Sequence, residues 1–596
     1  MSHPLKQPLA WLYQTMTQSS PRYRWFWLGV SLLFAVYYGW LTLQQAFAGT
    51  YVVQDDARQH VFWMQRFIDP DLFPNDLIAD YFQGVAPLGY AGLYRLAATV
   101  GLPPLLFSKI LPPILGLLTA WLVYEISWTL LPVPLASFIA SVSFSQSVWY
   151  SSEHGSATPR AFLYPLMLAF IYFLMRQKPW LYLGSLILLA LFYPQIALVC
   201  LGVLAIRLLD WKNRRLSFTS NRVIYIQFTL GFCAVAGILL YAQGQADFGP
   251  VISRAEAITM REFQPGGRNA FFFDGLYFWL HDRGGFLHRR GFTPAMIIAG
   301  AVLPLLLWMP IRSRWRSQIN SQVWVLFQLL LASLGLFILA HLVLFELHLP
   351  SRYSSHSLRA ILGVACGVSW VIILDDLSTL ISAIRQHQHG QSAAQQPNYR
   401  SFLKQAVFVS LSSLLIVFIV IYPSTFFERF PRVGYYDFSD SARLYEYFAA
   451  QPKATLVASL SGQAGNIPMF SGRAVLVSGE HALAYHTGYY DEFRDRTEAL
   501  LEAQYTTEPT LVAQFISTYG VDAWLIDNGA FQAPYVTENR WLRQYESAVD
   551  NVVQQLAMGP PVLQQAVPLC TATSTEAWTV LDANCVNDFA SNLSDR

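Results

Sequence analysis

Eleven apolar runs punctuate this 596-residue sequence, and nothing constrains its fold more. They lie at 25–43, 105–131, 133–150, 159–176, 180–193, 194–208, 223–242, 292–310, 321–347, 357–375 and 405–423. A helix needs about 20 apolar residues to cross a bilayer core about 30 Å thick. In hydrocarbon the backbone has no water to bond to, so each run must satisfy its own N–H and C=O groups as a helix. Composition agrees: 54% of residues are hydrophobic and 13% charged, against roughly 25% charged in soluble domains. A polytopic α-helical membrane domain follows. Ala46-Phe47-Ala48 resembles a signal-peptidase site, but the preceding run is too long for a signal core and reads as a retained span. Around Tyr193-Pro194 the pattern allows two short crossings or one kinked helix. Segment 84–101 carries Gly, Pro and Arg95, which favours a short surface helix over a further span.

Basic residues assign the sides. Lys6, Arg22 and Arg24 precede the first span, Arg176 and Lys178 fill one short loop, and Arg207, Lys212, Arg214, Arg215 and Arg222 another. Arg312, Arg314 and Arg316, then Arg385, Arg400 and Lys404, follow in later loops. With eleven spans all of these fall on one side, which the positive-inside rule makes cytoplasmic. Asp55-Asp56, the exoplasmic loops 49–104 and 242–291, Arg352 and everything after Pro423 then face outward. The net charge of +2 gives no reason to expect nucleic acid.

The membrane domain is expected over 1–423 and a small extracytoplasmic α/β domain over 424–596. In that tail short apolar runs at 455–459, 474–477 and 523–527 alternate with helical stretches at 442–450, 497–504 and 508–519, the pattern of a largely parallel sheet. Residues 386–398, rich in His, Gln and Ser, read as a disordered connector. Cys200, Cys233 and Cys366 sit in apolar runs as small buried hydrophobes. Cys570 and Cys585 are either free thiols or, in an oxidising compartment, a disulfide.

Chemistry gathers on the outward side. Asp55 is placed to cap a helix from Asp56 to about Phe67, with Asp56 and His60 four apart on one face. Adjacent helical carboxylates diverge by about 100°, so one as base and the other as cap or metal ligand suits them better than a twin acid/base pair. The alternative is an interfacial helix with ordinary polar decoration. Arg160 opens an apolar span, where it must snorkel, pair with a carboxylate, or bind a phosphate. In the long loop Gly266-Gly267-Arg268 offers backbone amides and a guanidinium to an anion, beside Phe271, Phe272 and Phe273. Arg352 stands at the outer end of another span. Arg160, Arg268 and Arg352 together suit one phosphate or pyrophosphate. Glu125 lies inside a span and requires a partner that the sequence does not name. No nucleotide-binding loop, HExxH pair or GxSxG elbow is found.

An acidic pair after span one, outward-facing arginines and a trailing α/β domain resemble the GT-C superfamily of polyprenyl-phosphate-dependent membrane glycosyltransferases. Ile467-Pro468 with Gly472-Arg473, Tyr489-Tyr490, and Tyr519-Gly520-Val521 before Asp527 are similar to segments of the soluble domains of such bacterial proteins, and whole-chain phrases resemble cyanobacterial multi-pass membrane proteins. The resemblance implies sugar transfer from a polyprenyl-phosphate donor, with inversion, to an envelope glycan, lipid or protein. Asp55 or Asp56 would be the base or a ligand of a divalent metal, with His60, Arg160, Arg268 and Arg352 around the phosphate. The adjacent Asp-Asp departs from the spaced acids of some members, and the WWD-type motif of oligosaccharyltransferases is absent. The competing reading is a lipid or polysaccharide transporter, or an envelope assembly protein without catalysis.

Overall fold

The computed structural model describes residues 6–212, 215–244, 248–287, 293–388, 397–426 and 436–594. Each of the eleven apolar runs carries a helix among the described residues. They form α2 (Pro21–Ala46), α6 (Pro104–Leu130), α7 (Pro134–Tyr150), α8 (Leu163–Met175), α9 (Pro179–Phe192) and α10 (Pro194–Ile206). The series continues with α11 (Arg222–Gly244), α14 (Ala299–Trp308), α15 (Trp324–Leu342), α16 (Ser351–Gln388) and α17 (Pro397–Phe426). Between them lie α1 (Lys6–Thr17), α3 (Ala57–His60), α4 (Leu77–Gly84), α5 (Leu88–Thr99), α12 (Arg254–Ala257) and α13 (Gly275–Leu280). Proline stands in the first turn of α2, α6, α7, α9 and α10, where its fixed φ fits and no intrahelical N–H is lost.

Among the described residues six helices are long and apolar enough to cross a membrane, and α8, α9, α10 and α14 are shorter. Pro194 ends α9 and starts α10, so the pair is two short helices joined at the proline. Residues 88–99 form the short helix α5, with Leu88, Leu96 and Val100 exposed. The helix through 357–375 is longer than its apolar run, because α16 continues unbroken for 38 residues.

At the centre of the bundle α7 is buried from Pro134 to Trp149. Its Ser137, Ser141, Ser143, Ser145 and Ser147 keep it slim, which allows helices to approach closely. Gly367 of α16 lies against it; a Cβ there would sit 1.9 Å from the Ala136 carbonyl oxygen. Glu125 finds its partner in Arg24, whose Nη2 donates to both carboxylate oxygens at 2.7 Å. Nearby, Lys404 pairs with the buried Asp375 at 2.9 Å, and Arg314 donates to the Tyr13 hydroxyl at 2.5 Å. One end of the bundle is therefore ringed by basic residues. Cys200 and Cys366 are buried as expected, but Cys233 is exposed, because α11 packs only one face on its neighbours.

At the other end the loops and the tail share a core. Val53, Phe62 and Trp63 of the first loop, Phe263 and Phe271 of the second, and Leu444, Tyr489 and Trp524 of the tail belong to one apolar cluster. Strand β1 (Val52–Gln54) pairs antiparallel with β4 (Tyr436–Phe438), and Tyr81 stacks on Tyr489 at 3.7 Å between ring centroids. A hairpin of β2 (Leu209–Lys212) and β3 (Arg215–Phe218) occupies a loop at the basic end. The tail sheet has the order β6-β5-β7-β9-β8, with β5 Leu456–Ser459, β6 Ala474–Val475, β7 Ala523–Asp527, β8 Thr571–Ser574 and β9 Trp578–Asp582. Only β6, β5 and β7 are parallel. β9 and β8 add antiparallel, so the sheet is mixed rather than largely parallel. Cys570 and Cys585 are joined by a disulfide across a separation of 15 residues. Most of the 386–398 connector, residues 389–396, lies outside the described residues, as do 245–247 and 288–291 of the long loop.

Candidate active site

The first loop turns inward directly after β1. Asp55 does not cap a helix. Asp56 occupies the N-cap position without a side-chain cap bond, and the Gln54 side chain accepts from the Ala57 N–H at 3.3 Å instead. The expected continuous helix is a single turn, α3, followed by a 3₁₀ segment Phe62–Phe67. Freed from capping, both carboxylates line a cavity of about 530 Å³ between the membrane helices and the tail domain. His60, Arg160, Arg268 and Arg352 line the same cavity, so all six residues proposed from the sequence come together.

Their partners differ. Arg160 donates from Nη2 to Oδ2 of Asp56, and its Nε lies 3.3 Å from Glu153 Oε2. Glu153 is buried and also receives Nη1 of the buried Arg359 at 2.8 Å, which in turn donates to the Tyr164 hydroxyl at 2.9 Å. A chain of alternating charge thus runs from Asp56 into the bundle. Asp55, about half exposed, is held by Arg58, whose guanidinium also reaches Asp437 at 3.1 Å and Glu480 at 3.1 Å. Arg268 donates from Nε to the Gly479 carbonyl at 3.0 Å, and its Nη2 lies 3.5 Å from Glu480 Oε2. Arg352 is the exception: among the described residues its guanidinium has neither an ion pair nor a hydrogen bond.

Removing one partner from a buried pair leaves an uncompensated charge. Arg359→Gln is expected to lower stability by about 3–5 kcal/mol, the range for such pairs, because Glu153 loses the buried guanidinium that lies 2.8 Å from it. Thermal unfolding of the full chain in detergent checks it, and an unchanged midpoint contradicts the pairing.

Desolvation pushes the His60 imidazolium down to about 4; Asp56 opposes the shift, and Arg160 and Arg352 add to it. His60 is therefore neutral at pH 7, a hydrogen-bonding wall rather than a second cation for phosphate. His348, which also lines the cavity, is pushed down to about 3, mainly by burial. Burial raises the Glu480 carboxyl above its ordinary range, while Arg58 and Arg268 pull it back. The sequence reading missed Glu480, Arg283, His348 and Tyr485, all of which line the cavity. Glu480 had a signal: it follows β6, at the carboxyl end of a parallel strand, where α/β sheets place ligands.

The glycine pair has another task than cradling an anion. The Gly266 and Gly267 carbonyls accept from Arg540 at 3.1 and 2.9 Å, fastening the long loop to the tail. A Cβ at Gly267 would sit 2.3 Å from the Glu262 carbonyl oxygen, so the tight turn explains the glycine. A divalent metal fits poorly. Among the described residues no three His, Cys, Asp or Glu side chains gather as ligands, and Asp55 and Asp56 are already answered by Arg58 and Arg160.

Below the cavity Asp76 caps α4, accepting from the Ala79 N–H at 3.0 Å. Burial raises its carboxyl from 3.8 to about 6. Because the folded value lies above the unfolded one, charging Asp76 costs the fold stability as pH rises from about 4 to 6. Two pH units correspond to about 3 kcal/mol. Asp76→Asn keeps the cap acceptor and removes the charge, so the stability difference between variant and parent is expected to grow across that window and then level off. Parallel unfolding curves at pH 4 and pH 7 contradict it.

No protein-family model matches this chain, and no curated protein sequence matches it. Solved structures do match. The archaeal oligosaccharyltransferase AglB from Archaeoglobus fulgidus, solved with an inhibitory peptide and a dolichol-phosphate, is 12% identical over 88% of this chain and 72% of that one, with a TM-score of 0.50. ArnT from Cupriavidus metallidurans, solved with undecaprenyl phosphate, is 10% identical over 94% and 98%, with a TM-score of 0.41. The first likeness is one of fold: the chain shares its overall architecture with that archaeal membrane protein.

Proposed function

We propose that this protein is a membrane glycosyltransferase that moves a sugar from a polyprenyl-phosphate donor to an envelope acceptor at the end of the bundle carrying the tail domain. The observation that carries the reading is the cavity itself. It is lined by four carboxylates (Asp55, Asp56, Glu346 and Glu480) and four arginines (Arg160, Arg268, Arg283 and Arg352), and one arginine, Arg352, lacks a protein partner among the described residues.

Access for a lipid supports it. At 1.5 Å per residue α9 and α10 rise about 21 and 20 Å, against a hydrocarbon core about 30 Å thick. Their basic ends, Lys178 and Arg207, belong at the membrane surface. The Tyr193-Pro194 turn, which lines the cavity, is then sunk by about 10 Å below the opposite surface. A phosphate on a polyprenyl chain can enter such a recess from the side while its sugar meets the acceptor above.

Asp56 is the better base of the pair. His60 feels Asp56, Arg160 and Arg352 together, so this carboxylate shares surroundings with the free guanidinium, whereas Asp55 is tied into the Arg58 network of the tail. Arg160 holds Oδ2, and Oδ1 accepts no hydrogen bond from the described residues. In this mechanism Oδ1 takes the acceptor proton as the acceptor oxygen bonds to the anomeric carbon. The bond from that carbon to the phosphate oxygen breaks from the opposite face, and its electron pair leaves with the phosphate beside Arg352. Configuration inverts.

The direct experiment is transfer of labelled sugar from a polyprenyl-phosphate donor by the full chain in lipid nanodiscs; no transfer to any envelope fraction defeats the proposal. The positive-inside orientation has its own check. The exposed Ser591, changed to Cys, should react with an impermeant maleimide in intact cells, and labelling only after lysis reverses the assignment.

A further inference from the structure

The basic end of the bundle holds a second cavity, of about 250 Å³, where the ends of α8, α9, α10 and α11 meet. Arg207, the residue after α10, lines it. It is half-buried there, with Tyr182 in the same lining. Among the described residues the guanidinium makes no ion pair and no hydrogen bond, and no carboxylate lines the cavity. A half-buried guanidinium is ordinarily answered by a carboxylate or a phosphate, whose geometry its fork matches. The side-chain amides of Gln177 and Gln227 line the same space and make no hydrogen bond among the described residues.

One wall is apolar and faces outward. Val223 and Ile224 of α11 line the cavity, and α11 is the least buried of the long helices, with Val223, Ile226 and Leu230 exposed. Trp180, 76% exposed at the start of α9, has the position of an interfacial aromatic. Polar donors around a free cation, beside a lipid-facing helix, describe a headgroup site with room for acyl chains alongside. Free phosphate would use the donors and leave the apolar wall unused.

We propose that this cavity binds the phosphate of an anionic phospholipid from the leaflet at the basic end, with Arg207 as its anchor. Basic pockets between helices on this side of membrane proteins have that chemistry. The site is separate from the proposed active site and does not depend on that reading.

The test is native mass spectrometry of the full chain in detergent, titrated with phosphatidylglycerol, phosphatidylcholine or inorganic phosphate. One phosphatidylglycerol should remain bound, and Arg207→Gln should weaken it by about tenfold, the scale of one charge-assisted contact. Val223→Trp, which fills the cavity and keeps the charge, should do the same, while Arg222→Gln, outside the lining, should not. Unchanged retention in both cavity variants overturns the proposal. So does equal retention of phosphatidylcholine, or displacement of the lipid by millimolar inorganic phosphate, which would assign the site to a free anion.

Discussion

Asp56→Asn is expected to slow sugar transfer by about 10²–10⁴-fold, the range that a positioned general base contributes, while leaving donor binding nearly intact. Asparagine keeps the volume of the carboxyl and an oxygen for Arg160, but it cannot take the acceptor proton. The same substitution at Asp55 should cost much less, because Asp55 serves the Arg58 network with Asp437 and Glu480. The contrast makes the experiment decisive. Similar losses at both positions would mean that the pair acts through folding of the first loop. Full activity in Asp56→Asn would remove the residue from the chemistry. Thermal midpoints of the two variants supply the control, since loss of one partner of Arg160 affects the buried Glu153–Arg359 pair only through that shared cation.

The membrane architecture was legible because lipid permits so few solutions. An apolar run with a proline at its start could only become a helix, and the Tyr193-Pro194 ambiguity concerned a single bend. What failed to show was anything set by tertiary partners. Glu125 required a cation, yet Arg24 lies 101 positions away and meets it only through the packing of α2 on α6. Strand β8 escaped because Thr571–Ser574 is polar and mostly exposed, an edge strand without an apolar signature. The α1 helix was missed for a related reason: it is short and only weakly apolar, and it forms by packing on α17 and α7. At the site the residue types were readable and their wiring was not. Sidedness brought Arg160, Arg268 and Arg352 to one end, but only the folded chain separates a guanidinium already engaged by Glu480 from one with no partner. The tail likewise read as a unit by itself, whereas its apolar core is continuous with the first and second loops.

Arg352→Gln is expected to lower the rate by about 10²–10³-fold, the loss seen when one preorganised donor to a developing anion is removed. Charge sets the size of the effect. A sugar phosphodiester on a polyprenyl chain carries one negative charge, and when its bond to the anomeric carbon breaks the departing phosphate becomes a dianion. A guanidinium with no carboxylate to neutralise it therefore gains more in the transition state than in the bound donor, so kcat should fall further than KM rises. Arg268, which already spends donors on the Gly479 carbonyl and on Glu480, should show the weaker and more structural effect. Arg352→Lys separates charge from geometry: a point charge should recover part of the rate but not the two-point grip of the fork. Inhibition by free polyprenyl phosphate gives an independent reading, because the product presents the dianion directly and should bind Arg352→Gln more weakly than the parent. If the variant keeps its kcat and loses only donor affinity, Arg352 is an anchor for the bound lipid and the leaving group must be stabilised elsewhere in the cavity.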